Sequence, residues 1–346
     1  MIISVPCATT IDFYILHYLE YRMCIICEGK YDLELTFIDC SNCPNLTEIP
    51  MFPNLTKLNC ANCPNLTEIP MLPKLTKLEC FDCTNLTKIP TLPNLIKLFC
   101  WNCTSITEIP ALSKLTELSC SGCTNLTKVL LLPKLIIFRC FNCPNLTRIP
   151  TLPKLTKLYC WRCTSLTVIP MLPNLTKLDC ATTSITELPM LPNLTELDCH
   201  CANLTEIPMF PKLTFLDCSD CSYLKEIPAL PELTVLYCSG CYLKKIPMLP
   251  KLNILHCRDC TFLTEVPKLP KLYELWCANC PWIKPQNPSF DSNVKKLECL
   301  QRFCRNNLRY WRFRRWVKTR EFAEWFYSPK QWGGKVCKQI IAREIN

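Results

Sequence analysis

Residues 75–94 read LTKLECFDCTNLTKIPTLPN, and Leu95 then starts the same frame again. Written generally, the frame is L-x-x-L-x-C-x-x-C-x-x-L-T-x-I-P-x-L-P-x. Thirteen copies run from Leu35 to about Ile283, beginning at Leu35, Leu55, Leu75, Leu95, Leu115, Leu135, Leu155, Leu175, Leu194, Leu213, Leu233, Leu252 and Leu272, the last incomplete. Those starting at Leu175, Leu194 and Leu233 have 19 residues instead of 20, the missing one falling between the first Cys position and the next Leu or Ile. Self-similarity at a fixed short period marks a stacked-repeat architecture, and a deletion confined to that interval belongs to a turn.

The spacing predicts how each copy folds. L-x-x-L-x-C reads as a short strand whose Leu and Cys face inward, while the residues between them face outward on a parallel sheet. I-P-x-L-P excludes helix, because two prolines three apart remove donors and bias their predecessors to extended geometry. It is expected to return along the opposite face as polyproline II, with Ile and Leu filling the core. One such coil cannot bury its apolar edges alone, so neighbours must stack.

Composition narrows the chemistry. Among 346 residues there are 31 Cys and 30 Pro, but only 5 Gly and 3 His. So few glycines exclude a phosphate-cradling loop or dinucleotide fingerprint, and imply a fold built without tight glycine turns. His17, His200 and His256 are too scattered for a histidine-rich metal site. The net charge of +10 lies wholly in residues 281–346, which hold 15 Lys+Arg against 5 Asp+Glu. No apolar run is long enough to span a membrane. The N-terminal apolar stretch lacks a basic leader and carries Asp12 and Glu20, so it is not read as a signal peptide. The expectation is a cytoplasmic protein with reduced thiols.

This pattern resembles the leucine-rich repeat family in its shortest class. L-P-x-L-x-x-L is similar to the 20-residue repeats of bacterial secreted effectors, with Cys at the ninth position in place of the usual Asn. Short Leu/Cys repeats joined to an aromatic, basic end, here Trp316–Gln339, also resemble repeat proteins of giant DNA viruses of the mimivirus type. The resemblance implies an α/β repeat solenoid, with a parallel β-sheet on one face, proline-rich extended segments on the other, and a helical C-terminal cap. The corresponding organisation is an N-terminal cap over residues 1–34, a solenoid over 35–284, and a basic aromatic cap over 285–346. The family is a generic binding scaffold, so fold alone names no ligand.

Twenty-five cysteines fall on two repeat positions, giving eleven C-x-x-C pairs within the repeats. Such pairs evoke zinc or iron–sulfur ligation. Structural packing is the stronger reading: the first Cys continues the inward strand set, where a small apolar thiol fits. The second sits at the corner, where its thiol serves as a weak donor to turn carbonyls. No metal and no cofactor is expected. In-register positions ~4.8 Å apart also disfavour disulfides, whose Cβ atoms lie nearer ~3.8 Å. The N-x-T sequons, as at Asn45, Asn65, Asn85, Asn125 and Asn145, are by-products of the repeat.

Partner recognition is expected on the outward strand positions and the turn after them. Phe81, Phe99, Trp101, Arg139, Phe141, Tyr159, Trp161 and Arg162 form one cluster, with a notch of small residues (Ser119, Ser121, Gly122) in its middle. Trp, Tyr and Arg dominate interface energetics, although aromatic neighbours on adjacent strands also stack to stabilise a sheet. Asp179, Asp198 and Asp217 recur at one strand position as an acidic stripe, either a solvated face or a site for a basic segment.

The ends break the pattern. Residues 9–22 read as a short amphipathic helix, and Cys24 and Cys27 as part of a degenerate first coil. In the tail, Val294, Leu297, Leu300, Cys304 and Leu308 recur at helical spacing. Arg302, Arg305, Arg309, Arg312, Arg314, Arg315, Lys318 and Arg320 stay solvated if the tail is a cap. They neutralise phosphates if it contacts nucleic acid or an anionic membrane. Leu300–Asn306 weakly resembles a calmodulin-binding IQ motif. The similar bacterial effectors often carry a ubiquitin ligase domain with a C-x-D motif; Cys299, Cys304 and Cys337 lack that motif. No catalytic triad or paired-carboxylate pattern appears, so the sequence predicts a monomeric, non-enzymatic protein-binding scaffold.

Overall fold

The computed structural model describes residues 23–281, apart from 202, 265 and 268. Two compact units divide between Ile185 and Thr186. Within the first, β1 (Phe37–Asp39), β2 (Lys57–Asn59), β3 (Lys77–Glu79), β4 (Lys97–Phe99), β6 (Glu117–Ser119), β8 (Ile137–Arg139), β9 (Lys157–Tyr159) and β10 (Lys177–Asp179) pair in parallel, each with the equivalent strand of the next coil. The second unit holds β11 (Glu196–Asp198), β12 (Phe215–Asp217), β13 (Val235–Tyr237), β14 (Ile254–His256) and β15 (Glu274–Trp276), again parallel and in register. Both are leucine-rich-repeat-like coils of about 20 residues. The three 19-residue coils keep their full strands, so the deletion does fall outside them.

Inward and outward positions follow the predicted alternation. In the quoted coil Leu75, Leu78, Cys80, Cys83 and Leu86 have no exposure, and Ile89 and Leu92 almost none. The residues flanking Leu78, namely Lys77 and Glu79, are only half-buried. Phe52, Phe138 and Phe210 replace Leu at core positions and are the largest fully buried side chains.

Among the described residues there is no α-helix, which corrects the α/β class: these coils are β-strand plus extended return. The cause is the proline pair, which leaves no donor for a helical ladder. The same absence explains why the return face is sparsely bonded. One exception proves informative. Leu130 stands where other coils have the first proline, and its N–H donates to the Ile109 carbonyl at 2.9 Å. There a second two-stranded sheet forms, from β5 (Glu108–Ile109) and β7 (Lys128–Val129). The helices expected over 9–22 and in the C-terminal cap lie outside the described residues.

The turns show why so few glycines suffice, although Gly122 and Gly240 do take two of them. Every coil except the one starting at Leu194 turns through a left-handed residue just before the second Cys position, and Asn or Asp usually occupies it: Asn62 at φ 54°, Asp82 at 56°, Asn102 and Asn142 at 57°. Asn and Asp tolerate this region better than other side chains. Gly122 and Gly240 fill the same position at φ 73° and 70°. The fold therefore has tight turns, staffed by Asn and Asp. Their side chains also bond along the stack, Asn62 Nδ2 to Asn42 Oδ1 at 2.8 Å and Asn102 Nδ2 to Asp82 Oδ1 at 3.0 Å.

Candidate functional site

In the first unit the outward face is carried by the strands and the turn beyond them. Phe81 and Trp101 stack face to face with centroids 4.2 Å apart and planes within 6°. Phe141 and Trp161 do the same at 4.6 Å and 8°. In-register strands hold equivalent residues about one strand spacing apart, which is a stacking distance. The strand column beside them is bound by cations: Arg139 over Tyr159 at 5.7 Å, Lys177 over Tyr159 at 5.8 Å, and Lys77 over Phe99 at 5.8 Å. Arg162 lies over Trp161 at 5.2 Å. The predicted cluster is thus two aromatic stacks with cations laid across the neighbouring column, all half-buried except the exposed Arg162.

Ser119, Ser121 and Gly122 separate the two stacks, in register with Phe99 on one side and Arg139 on the other. Ser121 is 3% exposed, and its Oγ has no hydrogen-bond partner. Nearby, Glu117 accepts from Arg139 Nη1 at 2.8 Å and lies 3.1 Å from Lys97 Nζ. Burial works against its charge, but these two cations outweigh burial and hold the carboxyl below its usual range.

The three aspartates of the stripe have different surroundings. Burial raises the carboxyl of Asp179 above its usual value, against opposing help from the Ala181 N–H and Lys177. In the second unit Asp198 and Asp217 sit directly opposite one another. Asp217 Oδ1 accepts the Ser219 N–H at 2.9 Å, so this aspartate braces its own turn.

A further aromatic run in the second unit was not singled out from sequence. Tyr237 stacks on His256 at 4.4 Å, His256 lies 5.5 Å from Trp276, and Arg258 sits over Trp276 at 4.3 Å. Glu274 bridges them, with His256 Nε2 at 3.2 Å and Trp276 Nε1 donating at 2.9 Å. The signal was present, because all three rings occupy the same strand position as Phe99 and Tyr159. The basic-tail residues Arg302 to Arg320 lie outside the described residues.

Both thiol columns have structural work. Second-column thiols donate across to the first-column carbonyl of the preceding coil: Cys83 to Cys60 O at 3.0 Å, Cys103 to Cys80 O at 2.8 Å, Cys123 to Cys100 O at 3.0 Å, and Cys241 to Cys218 O at 2.9 Å. Thr183, standing at that corner, donates to Cys180 O at 2.7 Å. First-column thiols such as Cys60, Cys80, Cys100 and Cys120 are pushed well above the ordinary thiol range by the neighbouring second-column thiol and by burial. Neutral and fully buried, they are poor nucleophiles. Among the described residues no cysteine is joined in a disulfide.

One group of cysteines differs from the columns. Cys24, Cys27 and Cys43 bring their sulfurs within 4.8 Å of one another. The Cys24–Cys27 pair is 3.7 Å apart and the Cys27–Cys43 pair 3.5 Å. A single turn places the first two side by side, closed by Glu28 N–H to Cys24 O at 3.0 Å and Lys30 N–H to Ile25 O at 3.1 Å.

No helix among the described residues is long and apolar enough to cross a membrane. The clefts on the return face are lined by Thr147, Arg148, Ile149, Thr167, Val168 and Pro170 in one unit and by Thr205, Glu206, Ile207, Lys225, Glu226, Ile227 and Pro228 in the other. No family model and no curated protein matches the chain. Among solved structures it is similar to a leucine-rich repeat protein from Bacteroides ovatus, at 16% identity over 67% of this chain and 78% of that one, with a TM-score of 0.39. It is also similar to YopM from Yersinia enterocolitica, at 20% identity over 71% of this chain and 87% of that one, with a TM-score of 0.21.

Proposed function

We propose that the chain is a non-enzymatic scaffold that binds a protein partner on its outward strand face, between Phe81 and Arg162. The observation carrying this reading is the pair of aromatic stacks held apart by a small-residue floor with an unsatisfied hydroxyl. Trp101 and Phe141 belong to coils two strand steps apart, a gap of about 9.6 Å. One planar side chain inserted there lies about 4.8 Å from each wall, close to the 4.2 and 4.6 Å of the existing stacks. An aromatic ring or guanidinium from a partner completes the row, and such groups are the usual anchors of interfaces.

Partner capture with wild type and with a Trp101→Ala, Tyr159→Ala, Trp161→Ala variant tests the reading. The variant is expected to lose the wild-type partners while keeping its fold by circular dichroism. An identical partner set from a folded variant rejects the patch.

A second reading rests on the charge, since the whole +10 sits in residues 281–346. In that reading the tail binds nucleic acid or an anionic membrane. Affinity then falls steeply with salt and vanishes on truncation after Pro285. The intact protein failing to bind at low salt ends it.

A further inference from the structure

We propose that Cys24, Cys27 and Cys43 form a three-thiolate site for a thiophilic d10 cation of the Zn2+ type, with a fourth position open to solvent or an added ligand. Three observations carry this. The first is geometry. Tetrahedral zinc with Zn–S of ~2.3 Å requires sulfur pairs about 3.8 Å apart. Two edges of the triangle, 3.7 and 3.5 Å, come within a few tenths of that, and all three sulfurs lie within 4.8 Å. An ion therefore enters with little movement of the turn or of the first coil.

The second is that Cys43 escapes the role of the other second-column thiols. Cys63, Cys83, Cys103, Cys123, Cys143, Cys163, Cys221, Cys241, Cys260 and Cys280 each donate to the carbonyl of a preceding coil, Cys63 to Cys40 O at 3.2 Å. Cys43 heads the column, and a C-x-x-C turn stands where that coil would be. Its thiol meets two more thiols instead of a carbonyl. Three sulfurs sharing weak S–H contacts satisfy one another poorly, whereas three thiolates around a cation satisfy every lone pair directed at it. The third is access. Cys43 is fully buried and Cys24 nearly so, but Cys27 is only half-buried, leaving an entry path on one side. Elsewhere among the described residues no other group of three metal-ligating side chains comes this close.

On binding, three metal–sulfur bonds form, three S–H bonds break, and up to three protons pass to solvent, so affinity falls as pH drops. The ion also ties the turn at residues 24–30 to the first coil of the stack.

The test uses the full chain, reduced and stripped with a chelator, and titrates Co2+ as a spectroscopic stand-in before displacing it with Zn2+. The expected result is a thiolate-to-cobalt charge-transfer band saturating at one equivalent and abolished by Zn2+, with Zn2+ raising the melting temperature. Cys27→Ser, at the half-buried corner, is expected to keep the fold and lose affinity by more than the roughly hundredfold that removing an outer-shell partner costs. Cys24→Ser is expected to do the same, and Cys277→Ser, outside the group, to bind as wild type. Absence of the band in wild type overturns the proposal. So does an undiminished band in a folded Cys27→Ser variant, because the ion then sits on other cysteines.

Discussion

Replacing Cys123 tests whether the second thiol column is a donor or only a filler. Cys123 is fully buried, and its thiol donates to the buried Cys100 carbonyl at 3.0 Å. Cys123→Thr keeps a hydroxyl donor of similar size, which the corner accommodates at Thr183, there bonded to its own coil's Cys180 carbonyl at 2.7 Å, and is expected within about 0.5 kcal/mol of wild type. Cys123→Val keeps the volume but strips the carbonyl of this donor, costing about 1 kcal/mol. Cys123→Ala also removes a sulfur worth about one methylene, ~0.8 kcal/mol, bringing its loss to roughly 2 kcal/mol. Urea unfolding under reducing conditions reads the order Thr, Val, Ala. For an m-value of about 3 kcal/mol per molar, the Val step shifts the midpoint by about 0.3 M. Valine matching wild type, with threonine no better, refutes the donor role and leaves only packing.

Three further outcomes are expected. At Gly122 an added Cβ falls 2.1 Å from Asn102 Oδ1, the movable end of a carboxamide. Gly122→Asn therefore rejoins the Asn ladder within about 0.5 kcal/mol, whereas Gly122→Val, forced left-handed, costs about 1–2 kcal/mol or more by thermal melt; equal melts for the two sink this account of the turn. Glu117, held low by Arg139 and Lys97, contributes stability that is present above the ordinary carboxylate pKa and lost as pH falls through its folded value. Glu117→Gln should thus destabilise at pH 7 and match wild type well below that range; a constant difference at all pH values contradicts it. Asp179 has the opposite sign, since its folded value is raised. Its penalty is absent below the ordinary value and grows as pH rises through the folded one, so Asp179→Asn should stabilise at pH 7 and lose that advantage in acid. A destabilised Asp179→Asn at pH 7 shows that its contact with the Ala181 N–H matters more than its burial.

Much of the outward face was legible because one register governs every coil. Once Leu78 and Cys80 point inward, Glu79 must point outward, and the same holds for Phe99, Tyr159 and Trp276. The two stacks follow from Phe81 and Trp101, and from Phe141 and Trp161, being equivalent residues on consecutive coils. The Tyr237–His256–Trp276 run obeys the same rule, since its members share one strand column. Within the coils the prolines at positions such as 90 and 93 already forbade helix, and the helices expected at 9–22 and in the tail lie outside the described residues.

Sequence alone determined the coil, its inward columns and its extended return, because a 20-residue period with two-residue alternation admits one way to bury Leu, Ile and Cys. Tertiary structure decided what depends on the adjacent coil. It placed the thiol protons on carbonyls, set Asn and Asp in left-handed turns, and opened a second sheet where Leu130 restored an N–H. It also brought Cys43 to the Cys24–Cys27 pair, 16 residues back along the chain, to make one triangle. Those outcomes turn on distances of 3–4 Å between groups on different coils, and a linear pattern carries period and polarity but no such distances.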